Sequence, residues 1–220
     1  MSIFWRPRGC VLWYDFAELS GHTVYDLSGN GNHGTIYNAE WRRGHLVGSL
    51  YFNGTDAYVD CGADESLGLD ILTHEALVKT TETAPEDNVA TRIITNWRAF
   101  ESTKITLKMW GDYAELMWYT GTTWARARSS TRITDGKWYH LVGTYDGSVG
   151  RIYVNGVLED ETEAPLTTEN YYRTLIGTYR STEGFFNGLI AFVRIYNRAL
   201  TLSEIRAHYH YLTSLARQVI

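Results

Sequence analysis

Turn-forming dipeptides recur at short intervals along the chain, and this spacing restricts the fold more than any other feature. Asp146-Gly147 and Asn155-Gly156 each follow an alternating apolar and polar run, which is typical of tight β-hairpin turns. Many short strands without helices between them predict an antiparallel sandwich or barrel. A length of 220 residues with no linker and no internal repeat predicts one domain. The strands are predicted at 10–16, 49–60, 72–79, 91–97, 104–110, 114–119, 123–129, 137–145, 149–158, 173–178 and 185–197.

The charge balance argues against some classes of function. A net charge of −5 and a pI near 5.8 lack the basic excess typical of proteins that bind nucleic acids or anionic membranes. No apolar run approaches the ~18 residues of a membrane span. The N-terminus lacks the basic and apolar regions of a secretory signal. We therefore expect an intracellular protein, a mature form, or one that leaves the cell inside a virus particle.

The C-terminus is predicted to form a helix. Thr201 and Glu204 have the spacing of a capping box, in which a hydroxyl and a carboxylate close the first helical turn. Apolar residues then recur at helical spacing and define one amphipathic face. These residues are Ile205, Tyr209, Leu212, Ala216 and Val219.

Several segments together resemble the LamG-like jelly-roll group of the concanavalin A-like superfamily, over roughly 9–207. They are LWYDF at 12–16, DLSGNGNHGTI at 26–36, LYFNGTDAYVDCG at 50–62, KWYHLVGTYDG at 137–147, RIYVNGVL at 151–158, TLIGTY at 174–179 and FNGLIAFVRIYNRALTLSEI at 186–205. The resemblance implies an all-β fold, a two-sheet antiparallel jelly-roll sandwich, here with one C-terminal α-helix. The predicted organisation is an N-terminal arm at 1–8, the jelly roll at 9–200 and the helix at 201–220. This fold supports lectins, adhesion modules, sialidase accessory domains and virion proteins alike, so it does not by itself define a function.

The resemblance also raises the question of calcium, because members of this group often hold one structural calcium ion. Asp26, at the start of a Gly/Asn-rich loop, is the candidate ligand. The closing strand of the group usually reads I-D-E-V, whereas this chain has Ala191 in place of the aspartate, so one expected ligand is missing. The alternative is that Asp26 and Ser28 hold the loop by hydrogen bonds.

Catalysis is not expected. Glycosidases that share the sandwich use an E-x-D-x-x-E strand to place an acid and a nucleophile ~5 Å apart, and no such strand occurs here. The acidic residues that follow the RIYVNGVL strand lack this spacing, and we interpret them as a solvated loop. They are Glu159, Asp160, Glu161 and Glu163.

A ligand face is predicted on neighbouring strands rich in Trp and Arg. Alternation places Trp124, Arg126 and Arg128 on one face of their strand and the alanines between them on the other. With Tyr113 and Trp118 they form a candidate surface for a neutral or anionic glycan, or for an acidic protein neighbour. The alternative is an arginine ladder paired with acids of the next strand.

A protein interface is predicted from apolar residues at the ends of the chain and on the closing strand. The candidates are Phe4, Trp5, Phe192, Tyr209 and Leu212. For Phe192 the alternative is that the C-terminal helix covers it within the same chain. Cys10 and Cys61 either form one disulfide or are two buried thiols.

The sequence thus predicts a non-catalytic, lectin-like surface protein that recognises glycans or proteins. We expect it in a virus particle, as a decoration, spike or tail component, or in an extracellular assembly. The alternatives are a purely structural subunit without glycan binding and, more distantly, a glycoside hydrolase.

Overall fold

The computed structural model describes residues 7–43, 48–86, 91–98, 102–167 and 171–217. Phe4 and Trp5 lie outside these ranges. No helix within them is long and apolar enough to cross a membrane.

The strands are β1 Cys10–Tyr14, β2 Thr23–Val24, β3 Gly34–Tyr37, β4 Glu40–Arg42, β5 Ser49–Asn53, β6 Tyr58–Asp60, β7 Leu72–Lys79, β8 Arg92–Arg98, β9 Ser102–Trp110, β10 Tyr113–Tyr119, β11 Trp124–Arg132, β12 Trp138–Tyr145, β13 Val149–Val154, β14 Val157–Glu163, β15 Tyr171–Ile176 and β16 Asn187–Tyr196. A short 3₁₀ helix spans Glu65–Leu67, and α1 spans Leu202–Arg217.

Two antiparallel sheets form a sandwich, which confirms the predicted fold. The first sheet has the order β14-β13-β12-β7-β16-β5-β4, with β1 paired to β16. The second has the order β11-β10-β9-β8-β15-β6-β3-β2. Each sheet therefore has one face toward the core and one outer face, and any binding surface on a sheet must use an outer face.

The segment predicted as one strand at 49–60 is two strands in different sheets. β5 belongs to the first sheet and β6 to the second. Between them Gly54 adopts φ 74°, and Asn53 Oδ1 accepts hydrogen bonds from the amides of Thr55, Asp56 and Ala57. Because the apolar alternation continues through this turn, periodicity alone did not reveal the change of sheet.

The acidic segment is also different from the prediction, because it forms the edge strand β14 and not a loop. Glu159 Oε2 accepts the amides of Ser130 and Thr131 on β11, both at 2.8 Å. Asp160 Oδ2 accepts the amide of Arg128 at 2.9 Å. The carboxylates therefore satisfy backbone donors at the edge of the opposite sheet, and this linkage stabilises two edges that would otherwise be open to pairing.

The main core lies between the sheets. Trp118 is fully buried between the sheets in a smaller cluster with Leu116 and Tyr145. It lies beside Gly150, where an added Cβ would approach its ring to 2.4 Å. Cys10 and Cys61 are buried free thiols, and burial raises the pKa of both. Of the two alternatives for the cysteines, the structure has the unbridged one.

Helix α1 covers part of the outer face of the first sheet. The predicted capping box is confirmed, since Thr201 N donates to Glu204 Oε2 at 2.9 Å and Glu204 N donates to Thr201 Oγ1 at 3.3 Å. Leu212 packs in one buried cluster with Phe192, Leu77 and Ala191. The prediction that Phe192 and Leu212 meet another protein is therefore wrong, because the chain's own helix covers them.

Tyr209 likewise faces its own sheet. Its ring stacks on His140 at a centroid distance of 6.1 Å and an angle of 9°, and it is half-buried. It adjoins Gly156 at the β13–β14 turn. Tyr209 thus has an intramolecular contact, and its role in a protein interface stays a prediction.

A buried carboxylate, Glu75, joins α1 to the first sheet. His140 Nε2 lies 2.8 Å and His208 Nδ1 3.0 Å from Glu75 Oε1. The Tyr196 hydroxyl donates to Glu75 Oε2 at 3.1 Å, and Arg194 lies 3.7 Å away. Burial alone would raise the pKa of Glu75, but these hydrogen bonds and the Arg194 charge hold it well below its ordinary value. We call these five residues the Glu75 network.

Candidate functional site

The predicted Trp and Arg residues lie on the outer face of the second sheet. Across β10 and β11, Tyr119 pairs with Trp124, Met117 with Arg126 and Glu115 with Arg128. The intervening Leu116 and Ala127 are buried in the core, so the predicted alternation is confirmed. We call Trp110, Tyr119, Trp124, Arg126 and Arg128 the Trp110–Arg126 patch.

Trp118 does not belong to this surface, and its prediction as a ligand residue is wrong. Its side chain points to the core, packs against Tyr145 at 5.5 Å and donates from Nε1 to Ala164 O at 3.3 Å. Two neighbouring residues on a strand face opposite sides, so Trp118 and Tyr119 cannot share one face.

A buried ion pair lies beneath the patch. Glu115 and Lys108 are fully buried, with Lys108 Nζ 3.6 Å from Glu115 Oε1. Arg128 donates from Nε at 2.9 Å to Glu115 Oε2, and its Nη2 lies 2.8 Å from the same oxygen. Desolvation, together with repulsion from Arg92, lowers the pKa of Lys108 to about 8 despite the attraction of Glu115. The arginine-ladder interpretation therefore holds for Arg128, whose charge is matched by an acid on the next strand.

Trp110 lies at the centre of the patch and was missing from the predicted site residues. The centroid of its ring is 4.6 Å from Lys108 Nζ, 4.6 Å from Arg128 Cζ and 5.3 Å from Arg126 Cζ. Cation–π attraction at these distances holds the arginines against the indole. The sequence offered one indication of this position, because Trp110 and Lys108 are two residues apart on one strand and therefore share a face.

Arg126 differs from Arg128 in having no acid partner within the described ranges. No carboxylate of the described ranges lies within ion-pair distance of it, and its one ring contact is with Trp110. Trp124 is half-buried and packs against Tyr119 at 5.1 Å. The patch therefore presents guanidinium donors beside accessible indole and phenol rings, all on strands.

Tyr113 lies on the same outer face, at the end of the β9–β10 hairpin. It pairs with Trp110 on one side and with Arg132 on the other, beyond a register shift. It is half-buried. Its contribution to ligand binding stays a prediction.

The loop at Asp26 has the hydrogen-bonded form that was the alternative to a calcium site. Asp26 Oδ1 accepts the amides of Trp13 and Ser28, and Oδ2 accepts the Ser28 hydroxyl and the Asn32 amide, all between 2.7 and 3.0 Å. Val11 O accepts the Asn32 side-chain amide at 2.8 Å. These oxygens already face N–H and O–H donors, whereas calcium needs six to eight free oxygen ligands. The residues at this loop do not fit a calcium ion.

Comparison with protein-family models and solved structures agrees with the two-sheet fold. The chain belongs to the family described as the Concanavalin A-like lectin/glucanases superfamily, whose model matches residues 53–206. A comparison with curated protein sequences finds no match.

Solved structures share the fold at low sequence identity. Domain 4 of AbnA, a GH43 extracellular arabinanase from Geobacillus stearothermophilus in complex with arabinotriose, is 21% identical with a TM-score of 0.72, over 90% of this chain and 97% of that one. The binding domain of Botulinum neurotoxin DC in complex with SialylT is 14% identical with a TM-score of 0.69, over 93% of this chain and 52% of that one. Trypanosoma rangeli sialidase in complex with sialic acid is 18% identical with a TM-score of 0.70, over 95% of this chain but only 34% of that one.

Proposed function

We propose that this protein is a non-catalytic, lectin-like recognition protein that binds glycans at the Trp110–Arg126 patch. The observation that carries the proposal is Arg126, a guanidinium with no acid partner among the described residues, beside the half-buried rings of Trp110 and Trp124. Membership of a superfamily named for lectins and structural matches to domains in complex with saccharides support it.

The chemistry of the patch suits a saccharide. Binding sites combine apolar and aromatic surface with a few polar groups that fix orientation. Here the rings offer flat faces to the C–H faces of a sugar, while Arg126 offers a planar set of donors to its hydroxyl or carboxylate oxygens. Because the side chains stand on strands above a buried ion pair, little ordering is needed on binding.

The test is binding of the full chain to a broad glycan panel, measured with calcium and again with chelator. We expect Arg126→Ala and Trp124→Ala each to weaken binding about tenfold or more, or ~1.4 kcal/mol. Arg132→Ala is the matched control, because Arg132 is on the same strand but pairs with Asp112. If both patch variants bind as the wild type does, the patch is not the site.

Chelator should leave both binding and thermal stability unchanged, because the Asp26 carboxylate is already fully hydrogen-bonded. Loss of binding in chelator that calcium restores would contradict this part of the proposal.

A second candidate function is assembly into a virus particle or an extracellular structure. Val157, Leu158 and Tyr211 are 56%, 40% and 58% exposed, on β14 and α1, which pack together at the Gly156 turn. Exposed apolar residues favour a protein neighbour. Light scattering over a range of concentrations tests self-assembly, and a Val157→Ser, Tyr211→Ser variant should shift any oligomer toward monomer. A monomer at every concentration would argue against a self-assembling subunit.

A further inference from the structure

A cleft of about 480 Å³ opens on the outer face of the first sheet, beyond the part that α1 covers. Lys79, Leu189, Tyr51 and Glu40 lie in line across β7, β16, β5 and β4 and share this outer face. The cleft lies on the opposite side of the sandwich from the Trp110–Arg126 patch, and its volume is in the range of small-molecule sites.

Positive charge is concentrated in this cleft. Arg42, Arg43 and Lys79 line it, against one carboxylate, Glu82. Arg42 is paired with Glu40 at 2.5 Å and its Cζ is 5.4 Å from the centroid of the Tyr51 ring. Within the described part of the chain, Arg43 and Lys79 have no carboxylate at ion-pair distance. Three cations against Glu40 and Glu82 leave one net positive charge among the described residues at the cleft, and in a protein of net charge −5 this favours an anionic ligand.

The floor of the cleft presents a fixed amide. Asn187 accepts the Tyr51 hydroxyl at Oδ1 (3.4 Å) and the Thr80 hydroxyl at its backbone oxygen (2.7 Å). Its Nδ2 has no acceptor among the residues that the structure describes, so it can donate to a ligand. The adjoining Gly188 has no room for a side chain, since a Cβ there would meet Lys79 O at 2.4 Å.

A second cleft of about 460 Å³ adjoins the first and shares Glu82 and Asn187 with it. Its other lining residues carry no charge and include Asn53, Thr55, Thr83 and Phe185. A simple anion would use only the first cleft. Hydroxyl and amide groups around an aromatic ring in the second suit a neutral sugar, so the pair suits a ligand with both kinds of unit.

We propose that the two clefts together bind an acidic oligosaccharide. The carboxylate of one sugar unit faces Arg43, Lys79 and Asn187 Nδ2 in the first cleft. A neighbouring neutral unit packs against Phe185 and Asn53 in the second. This site is separate from the Trp110–Arg126 patch and does not depend on it.

Calorimetric titration at low ionic strength tests the proposal with hyaluronan tetrasaccharide, which alternates acidic and neutral units. Maltotetraose is the neutral control ligand, and inorganic phosphate is the simple anion. We expect the wild type to bind hyaluronan tetrasaccharide and neither control ligand.

Lys79→Gln should weaken the binding of hyaluronan tetrasaccharide at least fivefold, and added salt should weaken it because the cations are solvent-accessible. Lys137→Gln is the matched control, since that lysine is paired with Asp135 away from the clefts. Thermal unfolding of each variant checks that it is folded.

Three results would overturn the proposal. One is no binding of hyaluronan tetrasaccharide. A second is binding that Lys79→Gln leaves unchanged, and loss of that binding in Arg126→Ala would assign the acidic ligand to the patch. A third is phosphate binding as tight as that of the tetrasaccharide, which makes the cleft a simple anion site. If Arg126→Ala binds the glycan panel as tightly as the wild type does, the proposed function is contradicted and the proposal for the clefts is not.

Discussion

The two outer faces of the sandwich carry similar residues, but α1 covers part of one face, whereas the Trp110–Arg126 patch lies at the surface of the other. Each has a fully buried glutamate held by cationic or hydrogen-bonding partners, Glu75 on the first sheet and Glu115 on the second. Above Glu75 lies α1, which contributes His208 to the network. Above Glu115 lie Trp110 and Arg128. Next to them lies Arg126, which has no acid partner in the part of the chain that the structure describes.

This difference indicates that the residues under α1 contribute mainly to stability and those of the Trp110–Arg126 patch mainly to binding. Under α1 the outer face of the first sheet extends the core, and the charged residues of the Glu75 network are paired within the chain. The cleft at Lys79 lies on the same sheet beyond the helix. On the second sheet the same kinds of residues stay at the surface over a rigid base. We therefore expect changes under the helix to alter stability, and changes at the patch to alter binding.

The largest expected effect is that of Glu75→Gln. The substitution removes the charge that joins His140, His208 and Arg194, and leaves Arg194 buried without its acid. Breaking a buried pair in this way costs ~3 kcal/mol or more, which for a domain of this size lowers Tm by roughly 6–12 °C. Differential scanning calorimetry measures it.

The control for this variant is Glu65→Gln, at an exposed position, which should change stability by less than ~0.5 kcal/mol. Acid sensitivity gives a second readout. Because the pKa of Glu75 is below its ordinary 4.5 in the folded state, the unfolded state binds the proton more readily, and stability falls as pH drops below that value. An equal Tm for Glu75→Gln and wild type would mean that the network does not stabilise the helix.

A change at His74 tests the core independently of the two outer faces. His74 is fully buried between the sheets, with Nε2 2.6 Å from Asn96 Oδ1, and desolvation lowers its pKa from 6.5 to about 4. Between these values the unfolded chain binds a proton that the folded one does not, so stability falls on acidification by roughly 3 kcal/mol in total. Urea unfolding at a series of pH values measures this, and His74→Gln should flatten the curve between pH 6.5 and 4. The same slope in the variant would assign the acid sensitivity elsewhere.

The smallest expected effect is at the start of α1. Glu204 closes the capping box and pairs with Arg198, whose hydrogen bonds lower the pKa of Glu204 to about 2. Glu204→Gln keeps the shape and removes the charge, so we expect a loss of ~1 kcal/mol. Chemical unfolding measures it, with Glu65→Gln, an exposed glutamate outside α1, as the control. A larger loss than in Glu75→Gln would reverse the order of importance inferred for the helix contacts.

Local patterns predicted most of the architecture, because turn dipeptides, alternation and the capping box are encoded within a few residues. The same local evidence failed at 49–60 and at 159–163, where the outcome depends on pairing with distant strands. Glu159 and Asp160 were predicted to lie in a loop, because the sequence does not show that β11 supplies amide donors for their carboxylates.

The candidate site was predictable in part for the same reason. Parity along β11 placed Trp124, Arg126 and Arg128 correctly, whereas Trp118 was assigned by composition against the parity of its own strand. Trp110 and the partner of Arg128 required the cross-strand register, which one strand does not reveal. Phe192 required knowledge of where α1 docks, and spacing along the helix does not specify its target.

The most direct test of the account compares Arg126→Ala with Leu212→Ala in the same glycan-panel and unfolding measurements. Leu212 is buried under α1, so its truncation should cost ~2 kcal/mol of stability and leave glycan affinity unchanged at temperatures where the variant is folded. Arg126→Ala should lose about tenfold in affinity, ~1.4 kcal/mol, and keep the wild-type Tm within about 2 °C. If Leu212→Ala loses glycan binding while folded and Arg126→Ala keeps it, glycan binding depends on the region under α1 and not on the Trp110–Arg126 patch, and the division between these two regions is contradicted.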